Sequence, residues 1–241
     1  MISLVAILIL GFALRIVNLN QSLWLDEAVQ AITAQGSLGA IFSELQGDFH
    51  PPLYHFLIWV WVHLFGTSEV ILRLPSVLFG VATIWLVYLI AKEISPKKYL
   101  SLITYHLSLA ELAALLMATA PFHIYYSQEA RPYALVTFLA SLSMYLFLKE
   151  RLWGYLVATT LALYSSYFVG FVILAQVLVI LLRRKFKVLL YCCLTILFFL
   201  PWLPMFFKQI QAGQQAVFLL PEWERLVNVG FLKALPLTFI K

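Results

Sequence analysis

Three short clusters of polar residues in this chain carry groups that could hold a phosphate and move a proton. Asp26 and Glu27 are adjacent, His50 directly precedes a proline pair, and Glu129 stands two residues before Arg131. A carboxylate can act as a general base, while a guanidinium or imidazolium can bind a phosphate. Together these groups predict a site for a substrate with a lipid tail and an anionic, hydroxylated head group.

Two of the clusters also have a purely structural explanation. Asp26 could be the N-cap of a helix, with Glu27 complementing the helix dipole. His50 could mark an ordinary loop-to-helix junction, because Pro51 and Pro52 impose an extended entry and then start a helix. At this point the sequence leaves both explanations open.

The third cluster packs an acid, a base, an amide and several tyrosines into one short loop. Its structural explanation is a Glu129–Arg131 surface pair, worth about 0–1 kcal/mol. Because Arg131 directly precedes an apolar run, its guanidinium could instead grip a lipid phosphate through two parallel hydrogen bonds, and we favour that role. Gln128, Tyr133 and, from the second cluster, Tyr54 are further candidates for substrate contact.

Arg73 is a more isolated candidate, one turn into an apolar run. Taken alone, it is best explained as a side chain that snorkels towards the membrane surface. We nevertheless include it among the candidate substrate-binding residues.

The elements that must position these residues are membrane helices. The chain has 241 residues, of which 63% are hydrophobic and 11% charged, with a mean hydropathy of +0.94. An ordinary soluble domain is about 25% charged, so the composition excludes a typical soluble enzyme and fits a bilayer. The net charge is +5. The basic residues occur in short clusters between apolar runs and not in a basic stripe, which argues against nucleic acid as a partner.

We predict an all-α, polytopic membrane protein with about seven transmembrane helices. The predicted spans are 2–19, 69–91, 109–126, 132–148, 153–167, 168–182 and 187–207. The spans 153–167 and 168–182 form a hairpin that turns near residues 165–167. With this count, basic residues gather on one side, as is typical of cytoplasmic loops. They are Lys92, Lys97, Lys98, Lys149, Arg151, Arg183, Arg184, Lys185 and Lys187.

The apolar run 52–66 is ambiguous, and the charge pattern decides how we interpret it. An eighth span there would split the basic clusters, so we predict an interfacial helix lying in an external loop, 20–68. The organisation is then a membrane module, 1–207, followed by an external segment, 208–241. We expect a multi-pass protein of the cell membrane, surrounded by membrane lipids, with the polar clusters on its external face.

Four motifs occur in order along the chain. They are Ser-Leu-Trp-Leu-Asp-Glu-Ala at 22–28, His-Pro-Pro-Leu at 50–53, Arg-Leu-Pro-Ser at 73–76 and Ser-Gln-Glu-Ala-Arg-Pro-Tyr-Ala at 127–134. Together they resemble the C-class membrane glycosyltransferases, in particular the protein O-mannosyltransferase and aminoarabinose transferase-like group of bacteria and archaea. The resemblance covers nearly the whole chain, although members of that group are commonly much longer.

The resemblance implies an enzyme that takes a sugar from a polyprenyl-phosphate carrier and passes it, usually with inversion, to a lipid, glycan or protein acceptor. It places the catalytic acid in the first external loop, where Asp26 matches, and Glu27 and Glu129 are further catalytic candidates. Arg131 and His50 would stabilise the leaving phosphate. Members differ in metal use, so no cofactor is certain and a divalent metal stays open; the spacing shows no strong ligand set.

Two other functions are compatible with the same residues. A transporter or flippase for a lipid-linked sugar would use the pocket without chemistry, but such proteins tend to show internal repeats and helices broken at the midplane, which this sequence lacks. The second alternative is a non-catalytic, truncated relative, suggested by the short length. Transfer assays with a panel of polyprenyl-phosphate sugars would distinguish these functions.

Overall fold

The computed structural model describes residues 3–95, 107–184 and 186–218, and they fold into α-helices. The helices are α1 (Leu4–Ile16), α2 (Leu25–Gln35), α3 (Leu38–Gly47), α4 (Leu53–Phe65), α5 (Glu69–Ile94), α6 (Leu109–Thr119), α7 (Pro121–Ser127), α8 (Tyr133–Leu148), α9 (Leu152–Leu163), α10 (Val169–Arg183), α11 (Phe186–Phe199) and α12 (Leu203–Phe218). A 3-10 turn at Leu200–Trp202 joins the last two. The predicted all-α class is confirmed.

Within the described residues, two helical stretches are long and apolar enough to cross a bilayer. They are α5, with 26 residues, and Val188–Ala212, with 25 residues. The pair α6 and α7 makes a third if it counts as one span, bent by 58° where Pro121 opens the second helix. The other apolar helices have 12–16 residues, or roughly 18–24 Å, against about 30 Å of hydrocarbon. The predicted count of seven spans is therefore not confirmed.

The outer surface of the helix bundle is strongly apolar. On α10, Phe171 is 62% exposed and Leu182 is 85% exposed. On α2, Leu25 and Ile32 are 76% and 71% exposed. Soluble monomers rarely expose contiguous apolar surface of this kind. The surface is suited to acyl chains, as expected of a membrane protein.

The polar clusters meet at one end of the bundle, which we call the loop face. It comprises the segment 17–68, the loop 128–132 and the turn 164–168, which are joined by hydrogen bonds described below. At the opposite end of α5, Glu93 Oε2 lies 2.5 Å from Lys149 Nζ. The C-terminal end of α5 therefore meets Lys149, which follows α8, away from the loop face. Lys97, Lys98 and Lys185 lie outside the described residues.

Hydrogen bonds tie α4, the predicted interfacial helix, to the turn 164–168 near its start and to α5 near its end. Leu53 N–H donates to the carbonyl of Tyr164 at 3.0 Å, and Trp61 Nε1–H donates to the carbonyl of Ile71 at 2.8 Å. That carbonyl needs an outside donor because Pro75, four residues later in α5, has no N–H to give it. The arrangement favours a position along the surface, and the depth of α4 in the headgroup layer stays a prediction.

The turn predicted near residue 165 lies between α9 and α10, as expected. The predicted boundary between residues 207 and 208 falls inside α12, which continues to Phe218. The rest of the predicted external segment, 219–241, lies outside the described residues. The described part of that segment therefore extends a helix that packs on α3.

Candidate active site

Glu27 forms the buried centre of the loop face. It is 0% exposed, and its carboxylate accepts hydrogen bonds from Arg73 Nε at 2.9 Å, from Arg73 Nη2 at 2.5 Å and from Ala130 N–H at 2.7 Å. The same guanidinium donates to three carbonyl oxygens of the segment 19–22 at 2.7–3.3 Å. This bidentate pair ties α2 to α5 and to the loop 128–132.

The interpretation of Arg73 as a snorkelling side chain is wrong. Its side chain is 7% exposed and points into the protein at Glu27. All five N–H donors of the guanidinium have acceptors within the protein. The geometry therefore favours a positioning role for Arg73 and Glu27 over direct contact with a substrate.

Asp26 precedes Glu27 in α2 but faces away from the core, because successive helical residues project about 100° apart. Asp26 Oδ2 lies 3.5 Å from Arg131 Nη2, and the two side chains are 42% and 14% exposed. The N-cap of α2 is Trp24, so the alternative that Asp26 caps this helix is wrong. The carboxylate of Glu27 accepts the Trp24 N–H, at 3.4 Å. Asp26 is left as the accessible acid of the pair.

Gln128 is placed at the end of α1. Its side-chain amide donates to the carbonyl oxygens of Leu14, Arg15 and Val17, at 2.7–3.4 Å. These are C-terminal carbonyls that the helix itself leaves without donors. Gln128 therefore anchors the loop 128–132, although it also borders a cavity described below.

Glu129 and Arg131 each retain a buried polar atom that is not engaged. Within the described part of the chain, Glu129 Oε2 and Arg131 Nε have no hydrogen-bond partner. Burial and the nearby charge of Glu27 raise the pKa of Glu129, against a hydrogen bond from Tyr125 that lowers it. Because buried polar groups are normally bonded, these two atoms are well suited to meet a ligand.

A polar cavity of about 490 Å³ lies between the end of α1 and the loop 128–132. Its walls include Trp24, Glu27, Arg73 and Glu129. Aromatic, amide and carboxylate groups of this kind can stack on and hydrogen-bond a sugar ring. The cavity falls in the size range of small-molecule sites.

A larger cavity, of about 690 Å³, is mostly apolar and lies beside it. Its apolar walls are Phe49, Val136, Phe168, Phe206 and Ile210, with Tyr126. His50 and Tyr133 lie at its edge, with ring centroids 6.4 Å apart. Arg131 Cζ lies 5.9 Å from the centroid of the same tyrosine ring. Asp26, Arg131, Tyr133 and His50 therefore form a continuous row that ends in the apolar cavity.

Tyr54 lies beneath this row. It is 1% exposed, and its hydroxyl is within electrostatic reach of Glu27, Arg131 and Glu129. It is therefore a buried neighbour of these charged side chains. The structure thus brings all nine candidate residues to one face, some as exposed groups and others as their buried supports.

Three residues of this face were not selected from the sequence. Asp48 accepts hydrogen bonds from His50 and His55, Gln209 of α12 donates to the carbonyl of His50 at 3.1 Å, and Arg15 is fully buried at the end of α1. Arg15 could have been found, since a charge at the end of an apolar run usually faces the protein interior. Nothing in the local sequence marks Gln209, which is brought to His50 by the packing of α12.

Metal ligation has little support in this geometry. Within the described residues, no group of three or more His, Cys, Asp or Glu side chains is arranged to hold a metal ion. Asp48, His50 and His55 lie together, but they hydrogen-bond to one another. The reaction proposed for this site involves no metal ion.

Comparison with known proteins identifies related sequences. A family model for dolichyl-phosphate-mannose-protein mannosyltransferases matches residues 49–205. An uncharacterized protein of Aquifex aeolicus is 29% identical over 165 residues, which cover 66% of this chain and 31% of that protein. This chain thus matches less than a third of the length of that relative. No solved structure matches the chain.

Proposed function

Because the chain belongs to the dolichyl-phosphate-mannose-protein mannosyltransferase family, we propose that it moves a sugar from a polyprenyl-phosphate carrier to an acceptor at the loop face. Membership of the family supports the coarser part of this proposal, that the protein is a membrane glycosyltransferase. The proposed details are the donor lipid, the acceptor and the position of the loop face on the outside of the cell membrane. The observation that carries them is the 3.5 Å approach of Asp26 to Arg131, an accessible base beside a cation.

The row of residues suggests how the donor lies. The apolar cavity of about 690 Å³ would take the first isoprene units of the carrier. The phosphate would then meet Arg131 and His50, both of which lie near the Tyr133 ring. An arginine fork matches a phosphate well, and the unengaged Nε of Arg131 is available for it. The anomeric carbon would then lie towards Asp26.

The proposed reaction is an inverting displacement. Asp26 takes the proton of the acceptor hydroxyl as the hydroxyl oxygen bonds to the anomeric carbon. The bond between that carbon and the phosphate oxygen breaks on the opposite side, and the electron pair leaves with the polyprenyl phosphate. Phosphate is already a good leaving group, so cations that stabilise its charge are sufficient and no strong acid is needed.

Residues that line the polar cavity would have the remaining roles. Glu129, with one unengaged oxygen, would orient sugar hydroxyls, and Trp24 would stack on the ring. Glu27 and Arg73 would hold Asp26 and the loop 128–132 at the correct separation. A lipid, glycan or protein hydroxyl could reach Asp26, whose side chain is 42% exposed.

The test is Asp26→Asn in the full chain, assayed with a panel of polyprenyl-phosphate sugars. The change retains shape but removes basicity, so we expect turnover to fall by about 10²–10⁴-fold while donor binding survives. Glu44→Gln, which removes a charge from the nearby α3, is the matched control and should retain turnover. Full activity in Asp26→Asn would refute the assignment of the base. A wild-type chain that translocates donors without forming product would instead favour a transporter, and one that does neither would favour a non-catalytic relative.

A further inference from the structure

Asp48 lies at the C-terminal end of α3 and connects two histidine rings. Asp48 Oδ1 is 2.9 Å from His50 Nδ1, and Asp48 Oδ2 is 2.9 Å from His55 Nε2. Oδ1 also accepts the N–H of Phe49 at 2.6 Å, and the side chain is only 16% exposed. Burial opposes ionisation, but the hydrogen bonds from the two histidines outweigh it and hold the pKa of Asp48 below its ordinary range.

The two histidine contacts do different things. The contact with His55 joins the end of α3 to the first turn of α4, which is a structural tie. The contact with His50 joins residues two positions apart, and the backbone there is already restrained by Pro51 and by the hydrogen bond from Gln209 to the carbonyl of His50. What this second contact adds is a fixed orientation of the His50 ring.

The oriented His50 ring borders the apolar cavity. Asp48 holds Nδ1, which leaves Nε2 as the second ring nitrogen, and the ring lines the cavity together with Tyr133 and Tyr167. A carboxylate on Nδ1 fixes the tautomer and stabilises the imidazolium, as in acid–base triads. When the ring carries both protons, both nitrogens donate, and Nε2–H can then donate to an anion at the cavity.

We infer that Asp48 is a positioning residue, which holds His50 so that Nε2–H binds a phosphate oxygen of the donor lipid opposite Arg131. The inference rests on the proposed function for the identity of that lipid. Arg131 Cζ and the centroid of the His50 ring lie 5.9 and 6.4 Å from the centroid of the Tyr133 ring, so a phosphate beside that ring is near both side chains. Free phosphate shares this chemistry, and the adjoining apolar cavity favours the phosphate that carries a chain.

The experiment measures binding of undecaprenyl phosphate and of undecaprenol, the same chain without phosphate, to the full protein in nanodiscs. We expect the wild type to prefer the phosphate by about tenfold or more, and Asp48→Asn and His50→Gln each to remove about tenfold, as lost supporting contacts do. The double variant should lose no more than either single variant, because both changes break one interaction. Glu44→Gln should bind like the wild type, and inorganic phosphate should compete weakly.

Several results would overturn the inference. They are an unchanged phosphate preference in folded Asp48→Asn, an additive loss in the double variant, and competition by inorganic phosphate as strong as that by the lipid. If Asp48→Asn does not fold, Asp48→Glu replaces it, because a carboxylate displaced by one methylene should give the same loss. If the binding results are as expected but no donor sugar is transferred, the proposed function fails and this inference stands. If sugar is transferred but the variants keep the wild-type preference for the phosphate, this inference fails and the proposed function stands.

Discussion

The loop face contains two arginine–carboxylate pairs whose acids are neighbours in sequence but whose environments differ. Glu27 and Arg73 are almost fully buried, bind each other through two hydrogen bonds and use their remaining capacity on backbone groups. Asp26 and Arg131 meet through one 3.5 Å contact, and the Asp26 side chain is 42% exposed. An arginine and a carboxylate therefore form a buried structural pair in one case and a pair accessible to a ligand in the other.

This difference has a simple physical origin. A charge taken out of water must have its hydrogen bonds replaced, so a buried pair survives only when nearly every donor and acceptor is used. Such a pair has no group left for a substrate. A half-exposed pair keeps its solvent and can exchange it for a ligand, which is what a base beside a phosphate-binding cation requires.

The largest effect should come from breaking the buried pair. Glu27→Ala leaves the Arg73 guanidinium buried without its counter-ion, and we expect the free energy of unfolding to fall by about 3–5 kcal/mol. Asp26→Ala breaks the exposed pair and should cost about 1 kcal/mol or less. Chemical unfolding of both variants in the same detergent compares them directly, and equal losses would remove the distinction between the pairs.

Arg131→Lys should separate charge from geometry in the exposed pair. Lysine keeps the positive charge but lacks the planar fork, so we expect sugar transfer to fall by about 10–100-fold with little change in stability. Arg183→Lys, an exposed position on α10, should have no effect on transfer. Unaltered transfer in Arg131→Lys would show that a point charge is sufficient and that no bidentate phosphate contact is made.

Gly80→Ala tests how the loop carrying Arg131 is seated. A methyl group on this α5 residue would collide with Ser127 and lie 3.0 Å from Arg15 Nε. Overpacking of this kind costs about 1–3 kcal/mol, and we expect that loss in thermal unfolding, with weaker transfer. Gly170→Ala is the matched control, since within the described chain nothing lies within 4 Å of the added carbon. Equal stability of the two variants would contradict the close packing inferred here.

The smallest effect concerns Glu129, which lies between the two pairs. Its pKa is raised chiefly by burial, so the folded state holds the proton more tightly than the unfolded state. Its contribution to stability is then present below the ordinary pKa of 4.5 and is lost as the pH rises through the raised value. Glu129→Gln should therefore show a smaller fall in stability over that pH range than the wild type. A steeper fall in the variant would reverse the sign we assign.

Much of the fold followed from local features of the sequence. Apolar runs bounded by polar residues and prolines predicted the helices, the turn near residue 165 and the start of α4 after Pro52, because such signals depend on neighbouring residues only. The parity of the apolar runs and the distribution of basic residues likewise predicted that the segments holding Asp26, His50 and Glu129 would share one face. The number of spans was harder, since several apolar helices are shorter than the runs that contain them.

The roles of individual charges were decided by the tertiary structure. In α2 the apolar residues Leu25 and Ile32 face outwards, while Glu27 and Gln30 face inwards, the reverse of a soluble amphipathic helix.

Composition and spacing by themselves determined that the chain is helical, membrane-embedded and equipped with acids and cations at one face. They could not determine which of two adjacent acids is buried, because that depends on the rotation of α2 about its axis. The rotation is set by packing against α4 and by Arg73, 46 residues away. The accessible carboxylate of Asp26, the buried pair of Glu27 and Arg73, and the Asp48 contact with His50 exist only once distant parts of the chain meet.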